Sequence, residues 1–148
     1  MSDENQDNGD GMEQDLNAAF HHPDLPKSLW LGALEIPVRV MDWEQLAEVA
    51  DFFADDEEPA HHPGTVQGMY ISHYSTVLLD KNASGHRELE ILLHELAHAF
   101  FCESDISHGE LHCTAVAKGI INLFVENPAF AQWFNQRVYQ IRERKRGG

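Results

Sequence analysis

The chain has 148 residues, of which 43% are hydrophobic, and its formal net charge is −15 at pH 7. This length suits one domain and this apolar share supports a hydrophobic core, which together exclude a wholly disordered protein. No apolar run reaches the ~20 residues of a membrane-spanning helix, and the acidic balance disfavours nucleic acid because phosphates would be repelled.

Residues 1–24 are predicted to form a disordered acidic tail, because Asn, Asp, Gln and Gly dominate there and apolar residues are few. This segment has no basic start followed by an apolar run, so we expect no signal peptide. The two cysteines, Cys102 and Cys113, are too few for a disulfide framework. Reduced thiols and a cytoplasmic location are therefore expected.

Alternating apolar and polar residues predict a strand over residues 34–40. A second short apolar segment, 29–31, precedes it, and Gly32-Ala33 between them suggests a hairpin. Pro37 lacks an amide hydrogen for a ladder bond, so its strand is expected at a sheet edge.

Asp42 and Gln45 have the spacing of a capping box, which predicts a helix after the hairpin. The residues that follow this helix, 59–64, are predicted to be a loop, and His61 and His62 within it an exposed turn. Segments 67–72 and 76–80 predict a second hairpin.

The sequence His94-Glu95-Leu96-Ala97-His98 has the pattern H-E-x-x-H. On a helix, residues four apart share one face, so His94 and His98 can aim both imidazoles at one zinc ion. Glu95 is one step further round the helix and can reach a water that this zinc makes acidic. Apolar neighbours without Pro or Gly favour a helix from about Arg87 to Cys102, and the alternative is a core helix with two ordinary histidines.

A catalytic zinc usually has three protein ligands and one water, so a third ligand is expected after His98. The metzincin class is excluded, because Phe101 and Ser104 stand where that class has Gly and His. Helical patterns are predicted for residues 110–125 and again after Asn127-Pro128, where Asn suits an N-cap and Pro a first helical position. The remaining candidates for the third ligand are Glu103, Asp105, His108, Glu110 and His112.

The chain resembles the small phage and prophage zincin-like metallopeptidases, which are distant relatives of the ImmA/IrrE type. The resemblance covers about residues 25 to 135. It is carried by Leu25-Pro26-Lys27, Gly68-Met69-Tyr70, Val77-Leu78-Leu79-Asp80, the motif segment from Glu90 to Ala99, the helix from Glu110 to Glu126, and Asn127-Pro128.

This resemblance implies an α+β, minimal zincin-like fold, in which a small twisted sheet packs on the H-E-x-x-H helix and further helices follow. It implies Glu110 as the third zinc ligand, at the start of the helix after the motif. His112 and His108 stay open as alternatives, and His108-Gly109 is similar to the third ligand of SprT-like proteases. The strand over residues 76–80 is expected at the sheet edge, where an extended peptide could pair with it.

The predicted function is a zinc-dependent peptidase of residues 25–142, flanked by the acidic tail and a basic C-terminal tail, 143–148. Its ligands would be His94, His98 and Glu110, with Glu95 as general base. Its partner would be a peptide or protein substrate in the cytoplasm, the host's if the protein is phage-encoded, with no nucleic acid or membrane. The alternative is a non-catalytic phage protein that uses a zincin scaffold to bind or inhibit a host protein.

Overall fold

The computed structural model describes residues 25–53 and 66–148, and these residues have an α+β architecture. The sequence predictions for residues 1–24 and for His61 and His62 lie outside them. The elements, in chain order, are β1 (Ser28–Leu31), β2 (Leu34–Met41), α1 (Trp43–Phe53), β3 (Gly68–Ile71), β4 (Thr76–Asp80), α2 (Gly85–Glu103), α3 (Glu110–Glu126) and α4 (Pro128–Gly147). The predicted α+β class is therefore confirmed.

The chain divides into two compact units between Ser84 and Gly85. The first contains a four-stranded mixed sheet with the order β1-β2-β4-β3. Strands β1 and β2 are antiparallel, β2 and β4 are parallel, and β3 and β4 are antiparallel. Both predicted hairpins are therefore present.

The first hairpin turns at Gly32, whose φ of +62° is the left-handed conformation that glycine adopts at no steric cost. Pro37 faces Ser28 of β1, and the pairing of β2 with β4 begins only at Val38. The edge position expected from Pro37 is wrong, because β2 has neighbours on both sides. The proline is tolerated since the ladder to β4 starts one residue after it.

Strand β4 lies between β2 and β3, so the expectation that residues 76–80 form a sheet edge is also wrong. All five of its residues are buried, which is typical of an interior strand whose two faces are both covered. The edges of the sheet are β1 and β3, each four residues long.

The predicted capping box at the start of α1 is confirmed. The Gln45 amide donates to Asp42 Oδ1 at 2.9 Å, and the Asp42 amide donates to Gln45 Oε1 at 3.3 Å. These bonds satisfy two amides that the helix cannot pair internally. Leu46 and Ala50, four residues apart, are buried and attach α1 to the sheet.

The second unit consists of α2, α3 and α4, and α2 packs against α3. The buried residues of α3 are Cys113, Ala117 and Ile121, which recur every four positions and so form one face. Ala97 and Ala99 are among the buried residues of α2.

Helix α4 begins with Pro128 in its first turn, as predicted. The Asn127 side chain does not cap this helix; its amide donates to the Leu123 carbonyl at the end of α3, at 3.0 Å. The helix continues to Gly147 through residues that the sequence assigned to a basic tail. Arg144, Lys145 and Arg146 favour this extension, because cations stabilise the negative end of a helix dipole. In the ranges described, no helix combines the length and apolarity that a bilayer crossing requires.

Candidate metal centre

Three residues of the second unit bring their polar atoms together at one point. His94 Nε2 lies 2.8 Å from Glu110 Oε2, and His98 Nε2 lies 3.1 Å from Glu110 Oε1. The two Nε2 atoms are 3.2 Å apart. The histidines come from successive turns of α2, and Glu110 is the first residue of α3, so the packing of these two helices creates the group.

The side chains of His94, His98 and Glu110 form a triangle whose dimensions suit a metal ion. Tetrahedral zinc has bonds of ~2.0–2.1 Å to nitrogen and oxygen, which places neighbouring ligand atoms ~3.3 Å apart. The observed separations of 2.8, 3.1 and 3.2 Å require only small adjustments. Two imidazoles and a carboxylate could hold a metal ion here and leave a fourth position open.

The other ring nitrogen of His98 has a partner that fixes its orientation. His98 Nδ1 lies 3.0 Å from His108 Nε2, and His108 Nδ1 lies 2.9 Å from the Ile106 carbonyl oxygen. A carbonyl only accepts, so His108 Nδ1 donates to it and His108 Nε2 accepts from His98 Nδ1. When His98 is neutral with its proton on Nδ1, its Nε2 is unprotonated and directed at the triangle, as a metal ligand must be.

His94 has a similar but longer contact. Its Nδ1 lies 3.3 Å from Thr114 Oγ1. Thr114 is one turn after Glu110 in α3, so one face of this helix supplies a triangle member and a partner for His94. Such partners of metal-binding histidines hold the ring orientation and tautomer.

The turn between α2 and α3 positions His108. Asp105 has a φ of +52°, and its amide donates to the Cys102 carbonyl at 3.1 Å. The Ile106 amide donates to the Phe101 carbonyl at 2.9 Å, which completes a Schellman motif. The His108 ring then stacks on Phe101, with centroids 5.1 Å apart and planes 23° from parallel. Asp in place of the usual Gly hides this motif in the sequence.

His112, the second alternative for the third ligand, has a different role. Its Nδ1 accepts a hydrogen bond from the Gly109 amide at 3.0 Å, and its side chain is exposed. This contact satisfies an amide at the start of α3. Among the described residues, neither group of clustered ligand atoms includes His112.

Cys113, which the sequence predicted to be a reduced thiol, belongs to a second group of potential ligands that the sequence did not indicate. Its sulfur is buried, and the ligand atoms of His98, His108 and Cys113 lie within 4.8 Å of one another. Burial raises the pKa of the Cys113 thiol to about 11, and the charges of Glu110 and Glu95 add to the rise. The thiol is therefore protonated at neutral pH. Its spacing of three residues from Glu110 was the available indication, since it places both on one side of α3.

Glu95 is a buried carboxylate with 7% of its surface exposed. Ile91 and Ala99, one turn before and one turn after it, are buried as well. Glu95 belongs to neither group of clustered ligand atoms, but its charge acts on the Cys113 thiol in the same unit. A buried carboxylate is costly unless it is paired, and Glu95 does have interactions in this structure.

The charges of the triangle favour cation binding. Burial, with smaller contributions from His94 and His108, lowers the pKa of His98, although Glu110 opposes this. Burial alone would raise the pKa of Glu110, but its hydrogen bonds and charge interactions with His94 and His98 outweigh this and lower it. At neutral pH the site therefore presents a neutral His98 and an ionised Glu110, which are the forms that bind metals.

No family model, curated protein or solved structure matches the chain. The resemblance to zincin-like metallopeptidases therefore stays a prediction from the sequence. Function depends on sites and not on fold alone, so the geometry of this centre carries the functional inference.

Proposed function

We propose that the protein is a zinc metallopeptidase with a minimal zincin-like fold. His94, His98 and Glu110 would be the zinc ligands, and Glu95 the general base. The observation that carries this proposal is the convergence of His94 Nε2, His98 Nε2 and the two carboxylate oxygens of Glu110, at separations of 2.8, 3.1 and 3.2 Å. Two helices of one unit provide it, so the ligands need little rearrangement to bind.

The donor set favours zinc over other common cations. Imidazole nitrogen suits zinc, copper, iron and nickel, whereas magnesium and calcium prefer oxygen ligands throughout. Two histidines and one glutamate, with a position left over, form the ligand set of several catalytic zinc sites. Bound zinc would supply Lewis acidity and a water that ionises near neutral pH.

The role of Glu95 follows from its position next to His94. The helix turns it about 100° away from the histidine face, so we expect it to flank the triangle, and it is not one of the clustered ligands. There, Glu95 would accept a proton from the attacking water and later give that proton to the leaving amine. Its burial supports this role, because a low dielectric strengthens the interactions of a charged base with its reactants.

The histidine partners complete the arrangement. His108 and Thr114 would hold the two zinc-binding rings with Nε2 directed inward. A metal site that serves only to hold the fold together has no use for a buried carboxylate beside it. The presence of Glu95 therefore favours hydrolysis over a purely structural zinc site.

The test compares zinc content and peptide cleavage in the wild type, Glu95→Gln and Glu103→Gln. Glu103 is a matched control because it lies on the same helix but is exposed. Zinc would be measured by elemental mass spectrometry, and cleavage on a proteome-derived peptide library by mass spectrometry of new termini. All three proteins should bind one zinc, and Glu95→Gln should cleave ~10²–10⁴-fold more slowly.

Two results would contradict the proposal. A zinc-loaded wild type that cleaves no peptide in the library would refute the peptidase function. Loss of zinc in Glu95→Gln, with zinc retained in Glu103→Gln, would make Glu95 a ligand and would require another base.

A further inference from the structure

The His98 ring lies between two different sets of potential ligands. Its Nε2 faces His94 and Glu110, at 3.2 and 3.1 Å. Its Nδ1 faces His108 Nε2, at 3.0 Å. The Cys113 sulfur completes the second set, with all three ligand atoms within 4.8 Å of one another. The proposed peptidase chemistry gives no role to this sulfur.

We propose that His98, His108 and Cys113 form a second metal site for a soft, thiophilic cation, and that this site and the zinc site exclude each other. Thiolate sulfur favours soft, thiophilic ions such as cuprous copper, and imidazole also binds copper. The carboxylate of the first site suits harder ions. The two sites therefore differ in their preference, since sulfur in place of a carboxylate favours the softer ion, although they share one histidine.

The burial of Cys113 supports a closed coordination site. Its residue surface is 0% exposed, so a cation bound to its sulfur would have little access to water. Soft ions tolerate this environment better than zinc with a catalytic water, which needs an open position. Binding would release the thiol proton to solvent as the metal–sulfur bond forms.

The surrounding charges support a cation at this position. Burial, and then the negative charges of Glu110 and Glu95, raise the pKa of the Cys113 thiol. The same charges attract a dication or monocation that neutralises the thiolate.

Mutual exclusion follows from the shared ring. A neutral imidazole has one nitrogen with a free lone pair, because the other carries the proton. With metal on Nε2, His98 Nδ1 donates to His108; with metal on Nδ1, His98 Nε2 donates to Glu110. A soft cation would therefore displace zinc and block the site that the proposed peptidase needs.

The test titrates zinc-loaded protein with cadmium and follows two quantities, which require no peptidase activity. The first is the ultraviolet charge-transfer absorption of a cadmium–thiolate bond, and the second is zinc release to a chromophoric chelator. The wild type should develop the band up to one cadmium per chain and release one zinc per cadmium bound. Cys113→Ser should lose the band completely, and the control Cys102→Ser should behave like the wild type.

Several outcomes would overturn the inference. One is zinc release without a thiolate band. Another is a band that persists in Cys113→Ser and disappears in Cys102→Ser. The third is a full band without zinc release, which would mean that both sites fill together. Circular dichroism and zinc content check that Cys113→Ser is folded. If it is not, cadmium-edge X-ray absorption of the wild type decides, because one sulfur and two nitrogen neighbours are expected and their absence refutes the site.

Discussion

Replacing His108 by phenylalanine tests whether the partners of the metal-binding histidines matter. Phenylalanine keeps a ring that can stack on Phe101 but cannot accept a hydrogen bond from His98 Nδ1. His98 would then lose the contact that keeps its Nε2 unprotonated and directed at the triangle. We expect zinc binding to weaken while folding is retained.

The expected magnitude follows from the bond lengths. Loss of such a partner typically costs 10–100-fold in metal affinity. The two hydrogen bonds of His108 measure 3.0 and 2.9 Å, both within the normal range. His108→Phe should therefore weaken zinc affinity by ~100-fold, or about 2.7 kcal/mol. The contact between His94 and Thr114 is 3.3 Å, so Thr114→Val should cost only ~10-fold.

The assay is competition for zinc between the protein and a chromophoric chelator, which gives the dissociation constant directly. His112→Phe is the matched control, since His112 lies in α3 and its side chain contacts only the Gly109 amide among the hydrogen bonds described. Equal weakening in His108→Phe and His112→Phe would refute the reasoning. Complete loss of zinc in His108→Phe would make His108 a ligand.

Three further predictions concern stability and thiol reactivity. Burial lowers the pKa of His98 below its ordinary 6.5, so the unfolded chain binds more protons than the folded chain. The free energy of unfolding of the metal-free protein should therefore fall as pH drops below 6.5 toward the folded pKa. Urea denaturation between about pH 7.5 and 5 measures this slope, and it should flatten in His98→Gln. Ellman's reagent should modify exposed Cys102 rapidly and buried Cys113 only on unfolding. A thiol that reacts rapidly in folded Cys102→Ser would contradict this. Asp42→Ala should lower the free energy of unfolding by about 1 kcal/mol through loss of the capping box, whereas no loss would mean that solvent replaces it.

Local patterns explain most of what the sequence predicted correctly about the fold. Both hairpins, the capping box and the proline at the start of α4 depend on residues within a few positions of one another. The strand order could not be read this way. Alternation along β2 and β4 does not say which strands are neighbours, and the parallel β2–β4 pair joins segments far apart in sequence.

The candidate site was predictable to the same extent. Four-residue spacing placed His94 and His98 on one face of α2, and the helix start placed Glu110 near them. The positions of His108 and Cys113 depend on a turn that uses Asp105 in a left-handed conformation, and on how α3 rotates against α2. Neither leaves a strong local pattern, so His108 remained an alternative ligand and Cys113 was expected to be a reduced thiol that binds no zinc.

The most direct test of the central claim is a crystal structure of the zinc-loaded protein with anomalous diffraction data at the zinc absorption edge. We expect one anomalous peak per chain, ~2.0–2.2 Å from His94 Nε2, His98 Nε2 and a carboxylate oxygen of Glu110. The Cys113 sulfur should lie outside bonding distance of that peak. A zinc ion bound instead by His98, His108 and Cys113, or no zinc in the second unit, would contradict the account.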